Sequence, residues 1–385
     1  MITVPFFGIR RQYQNLKEEL LDTIDEVYTS GQVLDGKNTE QFEKQIAARC
    51  HRTYAVAVNS CSMALLLSLM AAMAKNVPVI VPAISFPATL NAVLLNNNIP
   101  VYCDIDDYGL IDLEKLDYNP IDQKIQGLVY VNLFGNCVDY DKLKLIVDFF
   151  NNQKIFVIED AAQSFGAWFK HRPSGSLGDV SVLSFDPTKN LPNFGSGGMI
   201  LTDDPELWKL FRNLRDNGKF EGFGIPGTNS KMSESDCAQM LIKLKYFDQW
   251  QRRRTEIANY YTRHLSNYVK VTDVRPEIIH AWHKYPIWIK DSFVHHSGGV
   301  LPLRYQIQQS LAEHGIETKI HYTTPLPELM SNPGQTFFST MNSFPWAEAH
   351  CRTELSLPIY PEMTDLEVEY VVEKVIESIF EHNDH

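Results

Sequence analysis

Three segments of this chain place residues that can do chemistry directly after apolar runs. Val180-Ser-Val-Leu-Ser184 leads into Phe-Asp-Pro-Thr-Lys189-Asn-Leu191. A lysine there is ordinarily solvated or paired with an acid. In a partly desolvated site its pKa falls, which suits Schiff-base chemistry with a carbonyl. Phe156-Val-Ile158 ends in Glu159-Asp160-Ala-Ala-Gln163. A carboxylate at the end of a buried strand is costly unless a cation meets it, although a cap or a structural ion pair explains it as well as catalysis does. Val56-Ala-Val58 runs into Asn59-Ser60-Cys61-Ser62 and then a helical pattern. Free N–H groups at a helix start, beside a serine hydroxyl, form a phosphate site. Taken alone, Ser60 or Ser62 reads better as a simple N-cap.

These segments need a scaffold that brings strand ends together. Short β-rich runs alternate with helical ones from position 50: Tyr54–Val58, Val77–Val81, Ile125–Val131, Lys154–Ile158, Val180–Ser184 and Gly198–Thr202. Near-continuous apolar strands separated by helices predict an α/β fold, a mainly parallel sheet sandwiched by helices. Ligands of such sheets sit beyond the carboxyl ends of the strands. The large domain is expected over 1–240 and a smaller α+β domain over 241–385. An amphipathic helix from Tyr13 to Tyr28, ended by Ser30-Gly31, is expected to precede the sheet and to pack on the small domain. A helix over 236–265, a strand near Lys284–Ile289 and a capping box at Thr364-Asp-Leu-Glu367 mark the second domain.

Composition narrows the function. The 385 residues carry 35 Lys+Arg and 47 Asp+Glu, a net charge of −12. No basic domain is available for nucleic acid. The longest apolar run, Met63 to Ala74, is too short to span a bilayer, and no leader pattern opens the chain, so a cytoplasmic protein without membrane partners is expected. Six scattered cysteines read as reduced core residues. His295-His296, His382 and His385 have no companions at metal spacing, so no metal is expected. Arg252-Arg-Arg254 reads as a solvated helix face, and Trp282, Tyr285 and Trp288 as small-domain core.

A phosphate cradle, a buried carboxylate, a reactive lysine and a nearby second serine fit pyridoxal 5′-phosphate (PLP). There a carboxylate keeps the pyridine nitrogen protonated and lysine binds the aldehyde. The sequence resembles the DegT/StrS-type sugar aminotransferases over nearly its whole length. The resemblance rests most on Ile158-Glu-Asp160-Ala-Ala-Gln163-Ser-Phe-Gly-Ala167 and Ser184-Phe-Asp-Pro-Thr-Lys189-Asn-Leu191. Pro82-Ala-Ile-Ser-Phe86, Val101–Asp106, Leu214-Arg-Asp-Asn-Gly218, Gly227-Thr-Asn229, Ile320-His-Tyr322 and Leu355-Ser-Leu-Pro358 extend it.

That resemblance implies an aspartate-aminotransferase fold (PLP fold type I) with a mainly parallel seven-stranded sheet, and PLP-dependent transfer of an amino group, from glutamate, to a keto group on a nucleotide-linked sugar. It implies roles residue by residue. Lys189 would hold the cofactor and shuttle the proton; Asp160 would pair with the pyridine nitrogen. Gln163 would sit near the ring hydroxyl, with Phe86 on one ring face and Ala162 near the other. Ser62, Ser184 and the Cys61 N–H would hold the phosphate. Asn229 would reach the cofactor phosphate of a neighbouring subunit in a homodimer, and Tyr322 would line the substrate mouth. Four positions depart from the family pattern: Cys61-Ser62 for Gly-Thr, Lys231 for arginine, Asp186 for an aromatic and Pro192 for glycine. Asp186 reads as altering a loop rather than as repelling an acidic sugar. A family dehydratase would carry histidine in place of Lys189. A keto-cyclitol acceptor stays open. A non-catalytic sensor on the same fold would be expected to have lost the residues that survive here.

Overall fold

The computed structural model describes residues 2–72, 74–116, 125–149, 155–219, 224, 226–296, 299–329 and 343–383. Met73 of the apolar run, the expected strand start at Lys154, and His385 lie outside them. Seven strands form the main sheet: β1 (Tyr54–Val58), β2 (Pro78–Pro82), β3 (Ile99–Cys103), β4 (Gly127–Val131), β5 (Phe156–Asp160), β6 (Val180–Ser184) and β7 (Gly198–Thr202). Their order is β1-β7-β6-β5-β4-β2-β3. β7 runs antiparallel to both neighbours, and every other pairing is parallel. All residues of β2, β4, β6 and β7 are buried, as the unbroken apolar runs require of a sheet covered on both faces.

Register decides what the sheet presents at its edge. Gly198 of β7 lies opposite Val58 of β1 on one side and Ser184 of β6 on the other. The end of β1, the start of β7 and the end of β6 therefore stand in one row. One strand further, Asp160 pairs with Val182 and, on its other side, with Val131. Every strand-end motif of the sequence thus emerges on the same side of the sheet.

A second core gathers Val4, Tyr261, Leu265, Trp282, Tyr285, Leu311, Leu355 and Val375. It is built on the antiparallel sheet Lys270–Val271, Tyr285–Trp288 and Glu354–Leu357 and on the helices Leu303–Glu313 and Asp365–Asn383. The capping box forms as expected: Glu367 accepts from Thr364 N–H at 2.9 Å, and Glu367 N–H donates to the Thr364 hydroxyl at 3.2 Å. The helix Glu234–Leu265 joins the two cores. Cys237, Met240 and Phe247 pack with the large sheet, whereas Ile257, Tyr261 and Leu265 enter the second core. The first helix, Ile9–Ser30, ends at Gly31 in the left-handed region and packs along Glu234–Leu265; Arg11 pairs with Glu367 at 2.5 Å.

Arg254 corrects one expectation. Successive helical residues point about 100° apart, so three in a row cannot share a solvated face. Arg252 is exposed and Arg253 pairs with Asp365, but Arg254 is buried and donates to the carbonyls of Trp282 and Ile359. All six cysteines are buried and free. Among the described residues no helix is long and apolar enough to cross a membrane, and no group of three or more histidine, cysteine or acidic side chains is placed to hold a metal.

Candidate active site

At the carboxyl ends of β1, β5 and β6 lies a cavity of about 380 Å³. Cys61, Ser62, Phe86, Asp160, Ala162, Gln163, Ser184, Lys189 and Tyr322 all line it. The sheet register explains the convergence, because each of the first strands delivers its loop to the same row.

Neighbouring carboxylates on β5 take opposite roles because side chains alternate across a strand. Glu159 turns away from the cavity and is fully buried. It accepts from Asn132, the Ser174 and Ser181 hydroxyls, and the N–H groups of Gly175 and Leu177, at 2.7 to 3.0 Å. Asp160 turns toward the cavity. One oxygen accepts from Thr89 at 3.0 Å and the other from the Ala162 N–H at 3.1 Å, and Ser85 supports Thr89 at 2.8 Å. Burial pushes the Asp160 carboxyl above the usual carboxylate range, with these two donors and Lys189 opposing. A cationic partner in the cavity would favour its charged form.

Lys189 sits at the end of a turn built by Asp186. The Asp186 carboxylate accepts from the Thr188 N–H and hydroxyl at 2.9 and 2.6 Å, and its carbonyl accepts from Lys189 N–H at 2.9 Å. The aspartate that departs from the family pattern therefore shapes the loop. Desolvation lowers the Lys189 pKa, against the pull of Cys61, Asp186 and Asp160. A larger neutral fraction makes it a better nucleophile and base. Pro192, beyond the lysine, offers its carbonyl to buried Lys243 at 2.6 Å.

The turn after β1 divides its labour. Ser60 caps the helix Cys61–Ala72, accepting from Met63 N–H at 3.2 Å. Ser62 remains exposed in the cavity wall, while Cys61 packs into the core and contributes its backbone to the turn. Across from it, a Cβ at Gly198 would stand 2.5 Å from Ser60 C and 2.6 Å from Cys61 N. Only glycine lets β7 approach this turn. Gln163 is held at both ends: its oxygen accepts from Phe134 N–H at 3.0 Å and its amide donates to the Tyr322 hydroxyl at 3.3 Å.

The family's sequence profile spans residues 14–376. The chain belongs to the DegT/DnrJ/EryC1/StrS aminotransferase family. It is 33% identical over 379 residues to the dTDP-3-amino-3,6-dideoxy-alpha-D-galactopyranose transaminase of Aneurinibacillus thermoaerophilus, covering 97% of this chain and 98% of that one. Its fold matches S. venezuelae DesV, solved in complex with a ketimine intermediate, at a TM-score of 0.89 and 30% identity, covering 98% and 99% of the two chains. It also matches Bacillus subtilis NtdA with bound cofactor PMP at 0.88 and 28%, covering 99% of this chain and 86% of that one. The cofactor of this aminotransferase is PLP, and the donor set fits it. A helix start with the Ser62 hydroxyl facing the cavity suits a phosphate, a buried carboxylate suits a ring nitrogen, and a desolvated lysine suits the aldehyde.

Asn229 is the exception among the expected residues. It is exposed and bridges to Asp216 through the backbone, outside the cavity of its own chain. Asp216 is clamped by Lys219 at 2.5 Å and by Lys231, which departs from the family's arginine. The sequence reading also missed part of the wall of this aminotransferase's cavity: Phe7, Ser196, His283, Lys284, Lys319 and His321. One signal existed. Lys284 opens an otherwise apolar strand, where a charge has no business unless it faces a polar cavity.

Proposed function

We propose that this aminotransferase carries an amino group from glutamate to a keto group of a nucleotide-linked sugar, within a homodimer that completes each site with Asn229 of the other subunit. The convergence of Lys189, Asp160 and the Ser62 turn on one cavity supports the reading.

When bound, PLP supplies an aldehyde that condenses with amines and a ring that accepts the electron pair released at the donor carbon. Asp160 would hold the proton on the ring nitrogen. Lys189 would hold the aldehyde and, once released, would serve as the base that moves a proton at the donor Cα. Ser62, Ser184 and the Cys61 N–H would hold the phosphate. Phe86 and Ala162 would flank the ring, Gln163, fixed at both ends, would meet the ring hydroxyl, and Tyr322 would border the substrate.

The reading is tested by mixing the cofactor-loaded protein with glutamate and following the cofactor's absorbance. Conversion to the amine form, reversed by a nucleotide-linked keto sugar, is expected. An unchanged spectrum with glutamate and with every other amino donor would refute transamination.

A further inference from the structure

The cavity wall contributed by the second core carries two lysines, buried Lys284 and exposed Lys319, that form no ion pair among the described residues. Lys284 is 4% exposed. Among the described residues its ammonium touches only the faces of Phe6 and Phe7, 4.7 and 4.2 Å from their centroids. Lys319 lies over the same rings at 5.4 and 4.6 Å and also lines the cavity. Ring faces offset only part of the cost of burying a cation.

The acids that could neutralise this pair are engaged elsewhere. Glu354 accepts from the His321 N–H at 2.6 Å and the Ser356 hydroxyl at 2.5 Å. Asp186 is taken up by Thr188. His283 contacts Gln163 and the Thr188 carbonyl, each at 3.2 Å, and adds no negative charge. Burial, together with repulsion from Lys189, Arg254 and Lys319 and only partly opposed by Asp186, pulls the Lys284 pKa well below the lysine range, so its charged form needs an oxyanion beside it. The positive charge around Lys284 is thus in excess, and one of the cations repelling it is the reactive lysine itself.

We infer that Lys284 and Lys319 form an oxyanion subsite for the reactants, beside the carbon that Lys189 serves. The inference rests on the proposed aminotransferase reaction. Two reactants carry oxyanions: the donor amino acid as carboxylate and the acceptor as phosphate. The carboxylate fits better, because it is bonded directly to the reacting carbon and Lys284 lines the same cavity as Lys189.

The two half-reactions separate the sources. Lys284→Gln and Lys319→Gln are loaded with cofactor, and melting temperature and cofactor absorbance show whether each is folded and loaded. Stopped-flow conversion is then measured against glutamate concentration, and the return reaction against a nucleotide-linked keto sugar. The expected result is a rise of about tenfold or more in the half-saturating concentration of glutamate, larger than the change in maximal rate, with Lys284→Arg restoring most of it. A rise confined to the acceptor half-reaction would support the subsite with phosphate as its ligand. Half-saturation unchanged for both reactants in folded, loaded variants would overturn it. If the unmodified protein converts with no donor, the aminotransferase reading itself fails instead.

Discussion

The two walls of the cavity are built on different principles. The wall from the main sheet is made of strand ends, so its chemistry follows apolar runs in the sequence and is fixed by register. The opposite wall comes from the second core, where two short stretches far apart in the chain, His283-Lys284 and Lys319-Ile-His321, meet only through tertiary packing. The first wall is arranged to hold a cofactor; the second is arranged around charge that a reactant must complete.

Several substitutions sharpen this contrast. The largest effect is expected at Lys189: Lys189→Ala should lower turnover about a thousandfold or more, since it removes the group that both binds the aldehyde and moves the proton. Asp160→Asn should lower the maximal rate about a hundredfold while the cofactor stays bound. Its neighbour should behave oppositely. Glu159→Gln should lower unfolding free energy by about 1–3 kcal/mol, by weakening a buried network, and leave the rate per loaded site within about threefold. Equal rate losses at 159 and 160 would break the argument from strand alternation.

Gly198→Ala tests the cradle. The added methyl meets backbone rather than a flexible side chain, so the Ser60–Ser62 turn must move, and cofactor affinity should fall about tenfold by equilibrium titration.

The smallest effect belongs to the support of the second wall. Burial raises the Glu354 carboxyl to about 8, partly opposed by the Ser356 hydroxyl. A folded-state pKa above the unfolded one means the folded form binds the extra proton. Stability from this group is therefore full below the unfolded glutamate range, about pH 4.3, and is lost as pH rises toward 8. Melting temperature should decline over that window, and Glu354→Gln should flatten the decline.

The sequence exposes the first wall because its signals are local. Asp160 and Lys189 follow buried runs within a few residues. Six of the seven strands, the helix over 234–265 and the capping box at Thr364 are readable for the same reason: periodicity and caps act within a few residues. The exception is β3, which has Pro100 inside it and is not read as a strand. The choice between Glu159 and Asp160 is not readable from type, since only the side facing the cavity decides it. Arg254 hides inside a run of three arginines because helix phase, not composition, buries it. Lys284 carries a faint signal and Lys319 none, because the pairing Lys319–Ser356 that brings its segment to the cavity spans distant sequence.

Three lysines line this cavity, and burial lowers the pKa of two of them, Lys189 and Lys284. Only one of them, Lys189, is expected to hold the cofactor. Reducing the cofactor-loaded protein with borohydride fixes the cofactor to the lysine that holds it, and peptide mapping then reads the site. A single modified peptide containing Lys189 is predicted. Modification at Lys284 or Lys319 with Lys189 untouched would contradict the division of the cavity into a cofactor wall and a reactant wall.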